Sequence, residues 1–182
     1  MNILIVGGNK SGKSSFAQKI ALTLPHKKGL FYLATMLPCD CEDLSRIEHH
    51  RADRAGLPFQ TLEYFRRAGR AQRYMKEGTT LLLDSVTSLL SNEMFLQGQF
   101  VFGALEVVWK ELVPLLDAPG NAVIVSDMLF ADAVTYEETV TAFQRTLGHL
   151  HRKIADRCDL VIQMRQGIPF YRKGSPLLQE EL

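Results

Sequence analysis

The stretch GGNKSGKS at residues 7–14 constrains this chain more than any other. It fits the phosphate-binding template G-x-x-x-x-G-K-[ST] at every fixed position, between an apolar run, NILIV, and a helical pattern, SSFAQKIALTL. The glycines let the backbone wrap so that N–H groups face a phosphate. Lys13 would bridge the β- and γ-phosphates, and the Ser14 hydroxyl would hold Mg²⁺. The predicted triphosphate site comprises Gly7, Gly8, Asn9, Lys10, Ser11, Gly12, Lys13, Ser14 and Ser15.

Short apolar runs alternate with longer helical patterns along the rest of the chain. The apolar runs are continuous, as is typical of parallel strands that helices cover on both faces. We expect an α/β fold of three layers, with a mostly parallel central sheet flanked by helices. The closing GIPFYRKGSPLLQEEL predicts a short edge strand and a loose tail. The predicted strands are Asn2–Val6, Leu30–Ala34, Thr80–Leu83, Ala122–Ser126 and Leu160–Met164, and the predicted helices are 13–24, 42–55, 62–77, 86–116 (broken near Gly98) and 135–157.

The composition is that of a globular protein in a reducing compartment. A chain of 182 residues is expected to form one domain, 1–182. Its 21 basic and 20 acidic residues give a net charge of +1, which argues against a nucleic-acid partner. Three cysteines without disulfide spacing favour the cytoplasm. No apolar run approaches the ~18 residues of a membrane span, and MNILIVGG lacks the basic leader of a signal peptide.

A phosphate-binding loop of this type works with a carboxylate at the end of a neighbouring strand, which helps to hold Mg²⁺. The run TLLLD supplies an apolar strand that ends in Asp84. Asp84 could instead cap the helix that is expected to begin near Val86. The motif at residues 7–14 favours the metal site, so Ser14 and Asp84 are the predicted Mg²⁺ ligands.

Two adjacent histidines lie in the charged stretch SRIEHHRADR. In a helix, Arg46, His50 and Arg54 fall at i, i+4 and i+8 on one face, whereas His49 faces the neighbouring stripe. Flanking guanidiniums disfavour a protonated imidazole and can hold a triphosphate. This spacing suits a nucleophile that attacks phosphorus. The alternative is a solvated helix face with no chemical role.

Other features are expected to be structural. His149 and His151 fall on the last long helix, where histidines are usually surface residues. Trp109 belongs to an apolar stripe at helical spacing that predicts a core or subunit contact. The stripe consists of Leu105, Val108, Trp109 and Leu112.

Five motifs occur in order between residues 7 and 92: GGNKSGKS, FYLATM, RIEHHRADR, FQTLE and LLLDSVTSLLSN. Together they resemble the bifunctional adenosylcobinamide kinase / adenosylcobinamide-phosphate guanylyltransferase family of cobalamin synthesis. Ordered agreement of five motifs is far more specific than any one of them. The positions in register are Tyr32, Ala34, Thr35, Arg46, Ile47, His50, Arg51, Thr61, Glu63, Asp84, Thr87, Ser91 and Asn92.

The resemblance implies a RecA-like P-loop fold, a homotrimer and two reactions. The first would phosphorylate the aminopropanol hydroxyl of adenosylcobinamide, a corrinoid, from ATP or GTP. The second would form a covalent GMP adduct on a histidine and pass the GMP to the new phosphate, releasing pyrophosphate. In register with the family motif R-I-x-x-H, that histidine is His50, so His50 and Lys13 are the expected catalytic residues. Implied nucleotide contacts outside the loop are Ala34, Thr35, Arg46, Arg51, Ala52, Asp53, Arg54, Glu63, Asp84 and Thr87.

The second half of the chain departs from the family pattern. Where the family reads V-S-N-E-V-G-x-G, this chain reads VSDMLFAD, with Asp127 and Met128 in place of Asn-Glu and with Phe130 and Asp132 in place of both glycines. These positions fall in the part expected to handle the acceptor. Two alternatives therefore stay open. One is a P-loop small-molecule kinase without a covalent histidine, and the other is a non-catalytic GTP-binding paralogue.

Overall fold

The computed structural model describes residues 1–96, 99–129 and 137–177. Strands and helices alternate through most of these ranges, as the sequence predicts. The strands are β1 (Asn2–Gly7), β2 (Gly29–Ala34), β3 (Gln60–Glu63), β4 (Thr79–Asp84), β5 (Phe95–Leu96), β6 (Gln99–Phe100), β7 (Asn121–Asp127), β8 (Leu160–Arg165) and β9 (Ile168–Lys173). The helices are α1 (Lys13–Thr23), α2 (Cys41–Asp53), α3 (Val86–Met94), α4 (Ala104–Leu116) and α5 (Glu138–Arg157), with a 3₁₀ helix at Ala68–Tyr74.

A seven-stranded sheet organises the fold, in the order β3-β2-β4-β7-β1-β8-β9. Its strands pair in parallel except for β9, which lies antiparallel to β8. In the register, Gly7 of β1 is the partner of Asp127 of β7, and Ala34 of β2 is the partner of Asp84 of β4. The carboxyl ends of these strands therefore meet at one edge of the sheet, where ligands bind in open α/β folds.

Helices cover both faces of the sheet. On one face, α1 packs through Ala17, Ile20 and Ala21 against apolar residues of β1, β4 and β7. On the other face, α3, α4 and α5 pack together over the same strands, and α4 contributes the buried residues Val108 and Leu112. The strands are buried on both sides, which explains why their sequences are continuously apolar. The three-layer arrangement is confirmed.

One predicted helix, 62–77, is wrong. Residues Gln60–Glu63 form β3 at the edge of the sheet instead, paired with β2, and only Ala68–Tyr74 is helical, as a 3₁₀ helix. Arg67 takes a left-handed conformation with φ 54°, which interrupts any continuous helix here. The N–H of Gly69 donates to Oε2 of Glu111 on α4 at 2.9 Å. Tertiary contacts therefore override the helical propensity of this segment.

The other predicted elements are confirmed within a few residues at their ends. The helical stretch 86–116 is broken into α3 and α4 by the short hairpin of β5 and β6, although Gly98 itself lies outside the described residues. The last long helix begins at Glu138. Residues 135–136 of its predicted span lie outside the described residues. The predicted edge strand near the end is β9. Among the described helices, none is both long and apolar enough to cross a bilayer.

Candidate active site

A cleft of about 1130 Å³ opens at the carboxyl edge of the sheet. The loop between β1 and α1 lines it, together with α2 and the ends of β2, β4 and β7. The parallel topology thus brings the motif at residues 7–14 and the two histidines of α2 to one cavity, although a long stretch of sequence separates them.

The loop between β1 and α1 has the backbone that a phosphate cradle requires. Gly12, with φ 82°, precedes the first helical residue, Lys13. Gly7 at the end of β1 has no room for a side chain, because a Cβ there would lie 2.9 Å from the carbonyl oxygen of Met164. The Ser11 hydroxyl oxygen is buried and has no hydrogen-bond partner within the described ranges. A buried unpaired hydroxyl beside a helix N-terminus fits an anionic ligand.

The Lys13 ammonium faces two oxygens in the cleft. Its Nζ lies 2.7 Å from Oδ1 of Asp127 and donates to the carbonyl oxygen of Gly8 at 3.2 Å. Both charged side chains are largely buried, with 11% and 28% of their surfaces exposed. The lysine of the phosphate motif is thus paired with the carboxylate that ends the neighbouring strand.

Asp84 ends β4 on the far side of β7 and lines the same cleft. It does not cap α3, because the N-cap is Ser85, whose hydroxyl accepts from the N–H of Ser88 at 3.2 Å. The Tyr32 hydroxyl donates to Oδ2 of Asp84 at 3.0 Å. Burial raises the pKa of Tyr32 well above its usual range, and the negative charge of Asp84 adds to this. Tyr32 therefore stays a donor to Asp84, and the other Asp84 oxygen accepts no side-chain hydrogen bond within the described residues, so it can contact a ligand.

The helix α2 carries both histidines along one wall. Asp40 caps its N-terminus by accepting from the N–H of Asp43 at 2.8 Å. None of the residues of α2 is buried in the core, so this helix lies at the surface of the protein. His50 lines the cleft and is half-buried, and its Nδ1 is shielded from solvent with no hydrogen-bond partner in the described part of the chain. His49 is exposed, with Nε2 3.8 Å from Asp53.

The arginines around His50 have partners of their own. The Arg54 guanidinium lies 3.5 Å from the centre of the Tyr32 ring and is buried, and its Nη1 has no hydrogen-bond partner among the described residues. A stacked, desolvated guanidinium with a free donor fits a bound anion. Arg51 forms an ion pair with Glu63 at 2.9 Å. The two arginines predicted to flank His50 are Arg46 and Arg54. Of these, Arg54 packs on an aromatic ring.

The expectation that His151 is a surface residue is wrong. Its Nε2 lies 2.8 Å from Oγ of Ser126, which in turn lies 3.2 Å from Oγ1 of Thr87. Thr87 accepts from the backbone N–H of Asp127 at 2.8 Å. Burial lowers the pKa of His151 to about 4, although the charge of Asp127 opposes the shift. A neutral imidazole on α5 is therefore connected through two hydroxyls to the strand end that bears the partner of the motif lysine.

This histidine should make the protein less stable in mild acid. The folded state keeps the His151 pKa near 4, whereas in the unfolded chain it returns to its ordinary value of 6.5. The unfolded state then binds the extra proton between these values, so the free energy of unfolding falls as the pH drops below about 6.5, by about 3 kcal/mol at pH 4. Urea unfolding at about pH 7 and pH 4.5 would measure this. The variant His151→Gln should lose most of the difference, and an equal pH dependence in both proteins would contradict the assignment.

A family model for cobinamide kinase / cobinamide phosphate guanyltransferase matches residues 3–171. The chain belongs to this family. It is 33% identical over 181 residues to the bifunctional adenosylcobalamin biosynthesis protein CobP of Pseudomonas aeruginosa, covering 97% of this chain and 100% of that protein. It is 26% identical over 180 residues to the bifunctional protein CobU of Salmonella typhimurium, covering 92% and 97%. The resemblance read from the motifs is confirmed.

A solved structure supports the fold of this cobinamide kinase / guanyltransferase family member. A KaiC-like protein from Pyrococcus horikoshii superposes with a TM-score of 0.52 at 16% identity, over 95% of this chain and 79% of that chain. At this identity the likeness shows the fold alone. Together with the phosphate motif and the sheet order, it makes the chain a P-loop NTPase fold, and its family makes it a transferase of adenosylcobalamin biosynthesis.

Most of the site residues predicted for this transferase line the cleft. Thr35 does not: its hydroxyl donates to the carbonyl oxygen of Ser85 at 2.7 Å and accepts from the Ser85 N–H at 2.8 Å, so it holds the start of α3. Gly7, Gly8 and Ala52 also lie outside the lining. The predicted residues that line the cleft are Asn9, Lys10, Ser11, Gly12, Lys13, Ser14, Ser15, Ala34, Arg46, His50, Arg51, Asp53, Arg54, Glu63, Asp84 and Thr87.

The residues that line the cleft but were not predicted as nucleotide contacts include Tyr32, Asn92 and Asp127. The Asn92 amide donates to the carbonyl oxygens of Thr35 and Phe65, both at 2.7 Å, and so ties two segments of the wall together. Asp127 ends an apolar strand, AVIVSD, and this is the same signal that points to Asp84. Applying it to both strands would have found Asp127 as well.

The donor set of the cleft suits Mg²⁺ that arrives with a nucleotide. Within residues 1–96, 99–129 and 137–177, no cluster of three or more His, Cys, Asp or Glu side chains could hold a metal alone. Mg²⁺ in phosphoryl-transfer sites needs only one or two protein oxygens and takes the others from phosphates and water. Ser14 and Asp84 both line the cleft and offer oxygens of this kind. Mg²⁺ bound there would neutralise phosphate charge during transfer.

Proposed function

We propose that this chain is an adenosylcobinamide kinase and adenosylcobinamide-phosphate guanylyltransferase that uses ATP or GTP with Mg²⁺. The observation that carries the proposal is that one cleft is lined by both the phosphate-binding loop and His50. A phosphate cradle alone would support a kinase. A histidine in the same cavity adds a nucleophile that can carry a nucleotidyl group between two substrates.

In the kinase step, the loop at residues 8–12 holds the triphosphate. Lys13 leaves Asp127 to contact the β- and γ-phosphates, and Ser14 and Asp84 would hold Mg²⁺, which would neutralise phosphate charge. An alcohol oxygen of the corrinoid forms a bond to the γ-phosphorus while the bond from that phosphorus to the β–γ bridging oxygen breaks. The nucleoside diphosphate leaves. Protein catalysis here consists of positioning and charge stabilisation.

In the guanylyl step, a ring nitrogen of His50 attacks the α-phosphorus of GTP and pyrophosphate leaves. A phosphate oxygen of the corrinoid product then attacks the same phosphorus, breaking the bond to His50 and restoring the imidazole. Arg54, with its buried free Nη1, can hold the charge of the transferred group. The attack needs a ring nitrogen with a free lone pair, and Nδ1 of His50 has no hydrogen-bond partner among the described residues.

Turnover with defined substrates tests this function. The protein is incubated with adenosylcobinamide, GTP and Mg²⁺, and the corrinoid products are identified by mass spectrometry. We expect adenosylcobinamide phosphate first and then the GDP-linked corrinoid, with pyrophosphate released in equal amount. If phosphorylated corrinoid is the only product, the protein is a kinase without a covalent histidine. If GTP binds but no corrinoid product forms, the protein is a non-catalytic GTP-binding paralogue.

A further inference from the structure

Tyr32 contacts two charged groups of the cleft at once. It lies near the end of β2 and lines the cleft, although only 4% of its surface is exposed. Its hydroxyl donates to Oδ2 of Asp84 at 3.0 Å, and the Arg54 guanidinium lies over its ring, 3.5 Å from the ring centre. Phe59 packs edge-on against the same ring, with the two centroids 6.2 Å apart. One rigidly packed side chain therefore holds a carboxylate and a guanidinium together.

The hydroxyl of Tyr32 restrains the carboxylate that is assigned to Mg²⁺. Among the described residues, Tyr32 is the side chain that hydrogen-bonds to the Asp84 carboxylate. This bond restricts rotation of the carboxylate and leaves the other oxygen for a ligand. A group that hydrogen-bonds a metal ligand orients it, and loss of such a group typically lowers metal affinity by about 10–100-fold.

The ring of Tyr32 restrains the end of the helix that bears His50. None of the residues of α2 is buried in the core, whereas Arg54, the residue that follows the helix, is only 8% exposed. Arg54 comes four residues after His50, and both line the cleft. A desolvated guanidinium on an aromatic face is held more strongly than an exposed one. The stack therefore fixes this end of α2 against the sheet.

The two charges that Tyr32 contacts do not neutralise each other. Within the part of the chain that the structure describes, no ion pair joins Asp84 to Arg54, and Nη1 of Arg54 has no hydrogen-bond partner. A direct ion pair would occupy the carboxylate and the guanidinium with each other. With Tyr32 in contact with both, the carboxylate can serve a cation and the guanidinium can serve a phosphate.

We propose that Tyr32 is a positioning residue for both reactions. Its hydroxyl orients Asp84 for Mg²⁺, and its ring keeps Arg54 directed at the transferred group and apart from Asp84. This inference rests on the proposed function, in which Asp84 and Arg54 have these roles. Tyr32 itself forms no bond to substrate and transfers no proton.

The variant Tyr32→Phe tests the hydroxyl, since it keeps the ring. Binding of a fluorescent GTP analogue is measured in EDTA and over a Mg²⁺ titration. The half-maximal effect of Mg²⁺ on binding should require about tenfold more Mg²⁺, whereas the Kd in EDTA should stay unchanged because the phosphate loop is intact. The rate of GMP adduct formation should recover at high Mg²⁺. Tyr74→Phe is the matched control, because its hydroxyl accepts from Arg73 outside the lining of the cleft.

The variant Tyr32→Leu tests the ring. At saturating Mg²⁺ its rate of GMP adduct formation should be about tenfold or more below that of Tyr32→Phe, because Arg54 has lost its stacking surface. Arg54→Lys tests the same contact without changing the buried tyrosine, so it decides the question if Tyr32→Leu does not fold. Lysine keeps the charge and loses the planar stack, and the adduct rate should again fall by about tenfold or more.

Any of three results would overturn the proposal. A wild-type response to Mg²⁺ in Tyr32→Phe would show that the hydroxyl does not act on the metal site. Equal weakening of GTP binding in Mg²⁺ and in EDTA would show that Tyr32 only supports the shape of the cleft. An adduct rate within about threefold of the wild type in Arg54→Lys would show that the stack is dispensable.

The proposed function can fail separately. If the wild-type protein forms neither a GMP adduct nor a corrinoid product, the proposed function fails and this inference fails with it. If the wild-type protein completes both reactions and only the expected effects of the Tyr32 and Arg54 variants are missing, the proposed function stands and the role of Tyr32 is rejected.

Discussion

Replacing His50 with alanine should abolish the covalent GMP adduct. The wild-type protein, incubated with GTP and Mg²⁺, should gain the mass of one GMP in intact-protein mass spectrometry. The bond would join a ring nitrogen to phosphorus, so the adduct should be lost in acid. No other cleft residue in the described ranges combines an imidazole with a shielded, unpartnered ring nitrogen. The loss should therefore be complete, at least a thousandfold in the rate of adduct formation.

His49→Ala is the matched control, because it removes the same side chain one residue away. His49 is exposed and lies 3.8 Å from Asp53, so the His49→Ala protein should form the adduct at a rate close to that of the wild type. An adduct that survives in His50→Ala and disappears in His49→Ala would show that His49, and not His50, carries the GMP. An adduct that neither change removes would place it elsewhere in the chain.

Replacing Lys13 with alanine should weaken triphosphate binding by about a hundredfold or more. The ammonium would make charge-assisted bonds to two phosphates, each worth about 1.5–3 kcal/mol. Its removal also leaves Asp127, its partner at 2.7 Å, as an unpaired negative charge facing the phosphates. Titration with a fluorescent GTP analogue would measure the Kd. Lys19→Ala, on the exposed face of α1, should bind normally.

The double variant Lys13→Ala with Asp127→Asn separates the two contributions. If repulsion from Asp127 causes part of the loss, the double variant should bind more tightly than Lys13→Ala alone. Binding by Lys13→Ala within about threefold of the wild type would show that the triphosphate does not use this lysine. That result would contradict the nucleotide site itself.

The strands and the phosphate loop were predictable because local sequence determines both. A strand buried on two faces is apolar at nearly every position, and the short continuous runs in LLLD and VIVSD are typical of such strands. The loop depends on glycine, lysine and serine at fixed spacing, so its identity is contained in residues 7–14.

The failed predictions concern residues whose partners lie far along the chain. The segment 62–77 is rich in helix formers, yet its first residues pair with β2, and Gly69 bonds to Glu111 on α4. The sequence around His151 does not distinguish it from a surface histidine on a helix. Its partner, Ser126, lies on β7 and is brought to it only by the tertiary fold. The ion pair between Lys13 and Asp127 likewise exists only because β7 is inserted beside β1. Periodicity within one segment contains no information on such pairings.

The helix α2 contributes none of its side chains to the core, although it bears His50, the residue to which the proposed guanylyl transfer is assigned. The histidine of the proposed guanylyl step therefore lies on a part of the molecule that does not build the core. Damage to the sheet should remove both stability and activity together, whereas a change at His50 should leave a correctly folded protein with an impaired reaction. Screens that score such variants only by abundance in the cell would pass them as harmless.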